Sequence, residues 1–117
     1  MKKLTTIEEV QKNIEENNLA FIYIGQENCS VCHGLKPQVE TIMEKYEGVS
    51  LVELDALEVP EVAEVFNVLT VPVMMLFVEG REYLRKARMI NTRDFSQEVD
   101  KIIRGYQEML AGESDSQ

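Results

Sequence analysis

The residues of this chain best suited to chemistry are Cys29 and Cys32, which are its two cysteines. They follow an apolar run typical of a buried strand and stand where a helix is predicted to begin. Unpaired backbone N–H groups and the positive end of the helix dipole stabilise a thiolate there, which predicts an exposed, nucleophilic Cys29. Helical spacing places Cys32 on the same face, one turn inward. There it could join Cys29 in a disulfide and resolve a mixed disulfide with a substrate.

The same residues fit three other kinds of site less well. Residues 29–33 match the CxxCH pattern of covalent haem attachment, but such proteins mature outside the cytoplasm and no export signal is visible. Cys29, Cys32 and His33 supply at most three zinc ligands, so a closed site would need an acidic residue or a second subunit. The third alternative is a pair of unreactive core thiols. We therefore predict a redox pair with no metal and no cofactor.

The elements that must position the pair follow from hydrophobic periodicity and from capping and turn residues. The predicted helices begin near residue 7, after Cys29 (running to about Tyr46), at Pro60 and at Asn91 or Thr92. The predicted strands cover residues 20–24, 49–54, 73–78 and 82–87. Alternation of strands and helices predicts parallel pairing, and the Glu79-Gly80 turn adds an antiparallel edge. We expect an α/β domain over residues 1–111, with helices on both faces of a mixed sheet of four or five strands, and a flexible tail over 112–117.

Composition restricts the partners and the compartment. The net charge of −9 argues against binding to nucleic acid or to anionic lipid. No apolar run approaches the roughly 18 residues that a membrane-spanning helix needs. The basic start, Met1-Lys2-Lys3, is followed by polar and acidic residues rather than by the apolar segment of a signal peptide. We therefore predict a cytoplasmic protein.

Over nearly its whole length the chain resembles the thioredoxin family. The resemblance rests on the apolar strand, the CxxC motif, Pro37 five residues after Cys32, the Thr70-Val71-Pro72 segment and the hairpin at 77–80. It implies the thioredoxin fold, a cis Val71–Pro72 bond beside the cysteines, and pairing of the Val71 backbone with an extended substrate segment. It also implies a protein-disulfide reductase that acts in cell redox homeostasis. Such a protein receives its electrons from an upstream reductase and is present as a monomer or weak dimer.

Two departures from the family concern proton transfer. Tyr23 stands where the family has a buried aspartate, and Leu51 where it has the lysine partner of that aspartate. The usual proton acceptor for the resolving thiol is therefore expected to be missing, so that Glu27, His33 or water would have to replace it. This loss supports an alternative function, an adaptor that keeps the fold and binds partners with little or no disulfide turnover.

Other departures concern the surface around the cysteines. Ser30-Val31 replaces the family's Gly-Pro, Asn28 replaces a tryptophan, and Arg88 replaces a small glycine near the substrate surface. Arg88 is expected to narrow the substrate groove or to change its charge. The residues expected to tune the cysteine pair are Tyr23, Glu27, Ser30, Val31 and His33.

Overall fold

The computed structural model describes residues 1–115, which form five strands and four helices. The strands are β1 (Lys2–Lys3), β2 (Leu19–Gly25), β3 (Ser50–Asp55), β4 (Val73–Val78) and β5 (Arg81–Ala87). The helices are α1 (Ile7–Glu16), α2 (Ser30–Met43), α3 (Val62–Val65) and α4 (Thr92–Asp115). No helix within residues 1–115 has the length and apolar character needed to cross a bilayer.

The strands form one mixed sheet in the order β1-β3-β2-β4-β5. β3 runs parallel to β1 and β2, whereas β4 runs antiparallel to β2 and β5. The prediction of a mixed sheet with four or five strands is confirmed. The two-residue strand β1 was not predicted, because two exposed lysines carry no hydrophobic pattern.

The predicted parallel pairing is wrong for β4, which is antiparallel to β2. A crossover helix returns the chain along the sheet only if its length matches that of the strands. α3 has four residues and spans about 6 Å, whereas the six residues of β3 span about 20 Å. The chain therefore starts β4 at the end of the sheet where β3 finishes. Ile24 of β2 pairs with Leu54 of β3 and with Val73 of β4, which brings three strand ends together.

Helices cover both faces of the sheet, as predicted, and enclose two apolar clusters. On one face, α1 and α3 pack through Ile7, Val10, Ile14 and Val62. On the other face, α2 and α4 pack through Leu35, Val39, Met43, Phe95, Val99 and Ile103. β2 and β4 lie in the middle and are buried on both faces, which explains their continuous apolar sequences.

Two helix ends differ from those predicted. α2 ends at Met43 rather than near Tyr46, although Tyr46 is still buried and its hydroxyl donates a hydrogen bond to Asp100 (2.7 Å). α4 continues past the predicted domain boundary at residue 111 and ends at Asp115. Residues 116 and 117 of the predicted tail lie outside the described residues, and the division into a domain and a flexible tail stays a prediction.

Candidate redox site

Cys29 and Cys32 are joined in a disulfide at the start of α2, with their Cα atoms 5.3 Å apart. Cys29 is the N-cap residue and is half-buried, whereas Cys32 is 3% exposed. The backbone N–H of Cys32 donates to Cys29 Sγ (3.2 Å), so the sulfur satisfies one of the unpaired donors of the first helical turn. The same hydrogen bond would stabilise negative charge on the outer sulfur once the disulfide is reduced.

The end of β2 fixes the inner cysteine closely. A Cβ atom at Gly25 would lie 3.1 Å from Cys32 Cβ and 3.4 Å from Cys32 Sγ, so glycine leaves just enough room for the disulfide. The following turn is closed by a hydrogen bond from the Cys29 N–H to the Gln26 carbonyl (3.1 Å). Asp55, at the end of β3, accepts the N–H of Glu27 (2.9 Å) and ties this turn to the sheet.

The Val71–Pro72 peptide bond is cis. Because Val73 pairs with Ile24, Pro72 lies beside the end of β2 from which the chain continues to the cysteines. Pro72 is buried and Val71 is half-buried, and the Pro72 carbonyl accepts the N–H of Arg88 (2.9 Å). The structure therefore brings this segment to the same end of the sheet as the disulfide.

Tyr23 is buried, and its hydroxyl donates a hydrogen bond to the Cys32 carbonyl. Burial raises the pKa of Tyr23 to about 12, and the nearby negative charge of Glu53 acts in the same direction. The phenol therefore keeps its proton at neutral pH. Tyr23 can hold the first turn of α2 in place, but it cannot replace an acid as proton acceptor.

The other residues expected to tune the site lie at its surface. His33 is exposed, and its Nε2 lies 2.6 Å from the Glu27 carbonyl oxygen, so the ring donates to the turn before Cys29. The Glu27 side chain is exposed at the rim of the cavity described below. Ser30 is exposed, as is Val31, whose side chain is 61% accessible although it stands between the two cysteines.

Sequence reasoning missed two charged residues that share a cavity with Cys32. A cavity of about 330 Å³ is lined by Cys32 and Tyr23 together with Lys36 and Glu53. Lys36 Nζ donates to Glu53 Oε1 (2.7 Å). Glu53 Oε2 is buried and accepts no hydrogen bond, although the amino group of Met1 lies 4.0 Å away. The signal available in the sequence was the position of Lys36 four residues after Cys32, on the same face of a helix, whereas the pairing of Glu53 with Tyr23 is visible only in the structure.

A metal centre finds no support in the described part of the chain. Among residues 1–115, no three or more histidine, cysteine, aspartate or glutamate side chains are grouped so that they could hold an ion. Both sulfurs of the candidate zinc site are joined to each other.

Comparison with known proteins identifies relatives along most of the chain. The family model Thioredoxin matches residues 2–102. A thioredoxin-like protein of Bacillus subtilis (strain 168), YdfQ, is 34% identical over 110 residues, which cover 92% of this chain and 98% of the relative. Thioredoxin H2 of Arabidopsis thaliana is 32% identical over 71 residues, 61% of this chain and 53% of the relative.

Solved structures share the fold. A thioredoxin from Plasmodium falciparum superposes with a TM-score of 0.78 at 24% identity, covering 86% of this chain and 98% of the other. The oxidised mitochondrial thioredoxin 3 of Saccharomyces cerevisiae gives 0.72 at 23% identity, covering 90% and 94%. The fold, the disulfide-bonded Cys29 and Cys32 and these matches all indicate the same family, and the chain belongs to the thioredoxin family.

Proposed function

We propose that this chain reduces disulfides of protein partners through a dithiol–disulfide cycle of Cys29 and Cys32. The observation that carries the proposal is the placement of the pair, with half-buried Cys29 at the amino end of α2 and buried Cys32 bonded to it. Membership of the thioredoxin family supports thiol–disulfide chemistry in general.

The cycle has two exchanges. The Cys29 thiolate attacks one sulfur of the substrate disulfide, and the other substrate sulfur leaves with the bonding electron pair. The Cys32 thiolate then attacks Cys29 Sγ in the mixed disulfide and releases the second substrate thiolate. The substrate gains two electrons and the cysteine pair loses two. Val71 and Pro72 hold an extended substrate segment beside the sulfurs through the backbone of Val71.

The proposed setting is the cytoplasm, where an upstream reductase returns the pair to the dithiol and the chain acts as a monomer or weak dimer. Two cysteines close together in sequence suit a reducing compartment, because catalytic pairs persist there while structural disulfides are rare.

Insulin reduction tests the proposal directly. With dithiothreitol as electron donor, the protein is expected to accelerate precipitation of the insulin B chain well above the rate with dithiothreitol alone. Equal rates with and without the protein would contradict the proposal and favour the adaptor alternative, which Tyr23 at the family's acid position supports. Titration against glutathione then decides whether reduction or oxidation of substrates is the natural direction.

Glu53 is the proposed proton acceptor for the Cys32 thiol, either directly or through water in the shared cavity. The other carboxylates nearest to β3's end are already engaged. Asp55 accepts two backbone N–H groups, from Glu27 and Leu57, and Glu58 pairs with Lys3 (2.7 Å). Glu53 Oε1 accepts from Lys36, but Oε2 is buried and makes no hydrogen bond, with the Met1 amino group 4.0 Å away, so it keeps a lone pair for the thiol proton.

Substitution of Glu53 tests this role. Glu53→Gln is expected to slow release of substrate from the mixed disulfide about a hundredfold, the low end of what positioned proton transfer contributes, while attack by Cys29 keeps its rate. Rapid quenching with acid and mass analysis measure both steps. Lys36→Met is the matched control, because it breaks the same ion pair but keeps the carboxylate. Equal slowing in both variants would assign the effect to the ion pair and reject Glu53 as acceptor.

A further inference from the structure

A second hollow shares no lining residue with the cavity of Cys32, Tyr23, Lys36 and Glu53, which we call the Glu53 cavity. It measures about 450 Å³ and is lined by Val31, Leu35, Arg88, Met89, Ile90 and Asn91. We call it the Arg88 groove. Met89 is 97% exposed, and Val31 connects the groove to the cysteine pair, since it stands between the two cysteines. Its surface is largely apolar, and Arg88 is its one charged residue.

Arg88 is held in an unusual backbone conformation. Its φ is +64°, in the left-handed region that favours glycine, and its N–H is bonded to the Pro72 carbonyl (2.9 Å). Its Nε lies 3.4 Å from Thr70 Oγ1. A large side chain in such a conformation is retained only where the surrounding structure holds it, and such residues cluster at functional sites. The backbone thus fixes this arginine beside the Val71–Pro72 segment.

The Arg88 guanidinium makes no ion pair with any carboxylate in the part of the chain that the structure describes. The Glu53 cavity, in contrast, carries a net negative charge, because four carboxylates line it (Glu27, Glu53, Asp55 and Glu58) against two lysines (Lys3 and Lys36). The two hollows next to the cysteine pair therefore differ in charge. An exposed, unpaired cation at the edge of an apolar groove complements a carboxylate next to an apolar side chain.

We propose that the Arg88 groove selects disulfide substrates whose reactive cysteine is flanked by an acidic residue, in an extended peptide segment with an apolar neighbour. The inference rests on the proposed function, and it adds the class of substrate. The Arg88 backbone is bonded to Pro72 and its Nε lies 3.4 Å from Thr70 Oγ1, so the carboxylate is recognised as the substrate backbone aligns with Val71.

Three matched peptides test the selection. Each carries one cysteine joined to pyridine-2-thiol in a disulfide, flanked by an apolar residue and by glutamate, glutamine or lysine. The Cys29 thiolate attacks the peptide sulfur, and the pyridine thiol leaves with the electron pair, so its absorbance reports the rate. Rates are divided by those of 2-mercaptoethanol with the same peptide. We expect the glutamate peptide to react about fivefold faster than the lysine peptide at low salt, with the ratio falling as salt rises.

Substitutions at position 88 make the test specific. Arg88→Glu is expected to reverse the order of the peptides, and Arg88→Gly to remove the preference, since glycine adopts the required φ freely. Arg88→Lys keeps the charge and should keep the order. Arg81→Gln removes the same charge about 20 Å away, at the far end of β5, and should leave the order unchanged.

The outcomes separate the two proposals. Equal normalised rates for the three peptides, or an unchanged order in Arg88→Glu, would overturn the proposed selection while leaving disulfide exchange in place. A protein that reacts with all three peptides no faster than 2-mercaptoethanol does would overturn the proposed function, and the selection with it.

Discussion

Cys29→Ser is expected to lower the rate of insulin reduction to that seen without the protein, whereas Cys32→Ser is expected to stop the cycle after the first exchange. The hydroxyl of serine is not ionised at neutral pH and cannot attack a disulfide, so Cys29→Ser forms no bond with substrate. Cys32→Ser keeps the outer thiolate at the amino end of α2 but lacks the sulfur that displaces the substrate. It should therefore accumulate a mixed disulfide to one substrate per chain.

The two variants distinguish the roles because each removes one sulfur from the same pair. Non-reducing electrophoresis and intact mass measure the mixed disulfide, and alkylation at neutral pH measures the reactivity of the outer thiol in Cys32→Ser. Both variants lose the disulfide, so their stabilities are compared with that of the reduced wild type. A mixed disulfide trapped on Cys32 in Cys29→Ser, or equal insulin reduction by all three proteins, would contradict the assignment of nucleophile and resolving thiol.

Phe21→Ala is expected to cause the largest loss of stability among single substitutions in the sheet. Phe21 is fully buried in β2, and its ring lies 5.8 Å from that of Phe95 on α4. Removing a buried phenyl group costs about 3–5 kcal/mol, while domains of this size have roughly 5–15 kcal/mol in total. Urea unfolding of the oxidised protein, followed by far-UV circular dichroism, should show the midpoint fall with little change in slope.

A control residue and a double variant test the reason for this loss. Tyr83 is 57% exposed on β5, so Tyr83→Ala should change the free energy of unfolding by less than about 0.5 kcal/mol. The losses from Phe21→Ala and Phe95→Ala should fail to add in the double variant, because each already removes their shared contact. Full additivity, or a loss below about 1 kcal/mol in Phe21→Ala, would show that the two rings do not form the centre of this cluster.

Local sequence patterns predicted the four helices, the strands β2 to β5 and the cysteine pair. Val73–Val78 is apolar throughout because β4 has a neighbour on each side and a helix layer on each face. Cys29 and Cys32 could be paired from spacing alone, since residues three apart on a helix lie close together. These features depend on residues near each other in sequence.

Features that depend on how distant segments align could not be predicted. Glu53 shares a cavity with Cys32 because β3 aligns with β2 so that Glu53 pairs with Tyr23, and no local pattern specifies that register. The direction of β4 depends on the end of the sheet to which the short helix α3 and the loop after it bring the chain. Arg88 carries a positive φ that its residue type disfavours, so sequence patterns predict an ordinary strand end there.

The absence of a side chain at Gly25 sets how closely the inner cysteine approaches the sheet. A Cβ atom there would lie 3.1 Å from Cys32 Cβ, which is closer than ordinary van der Waals contact, so any larger residue would displace the end of β2 or the first turn of α2. Gly25 also pairs with Asp55 of β3. Position 25 therefore couples the geometry of the disulfide to the pairing of β2 with β3.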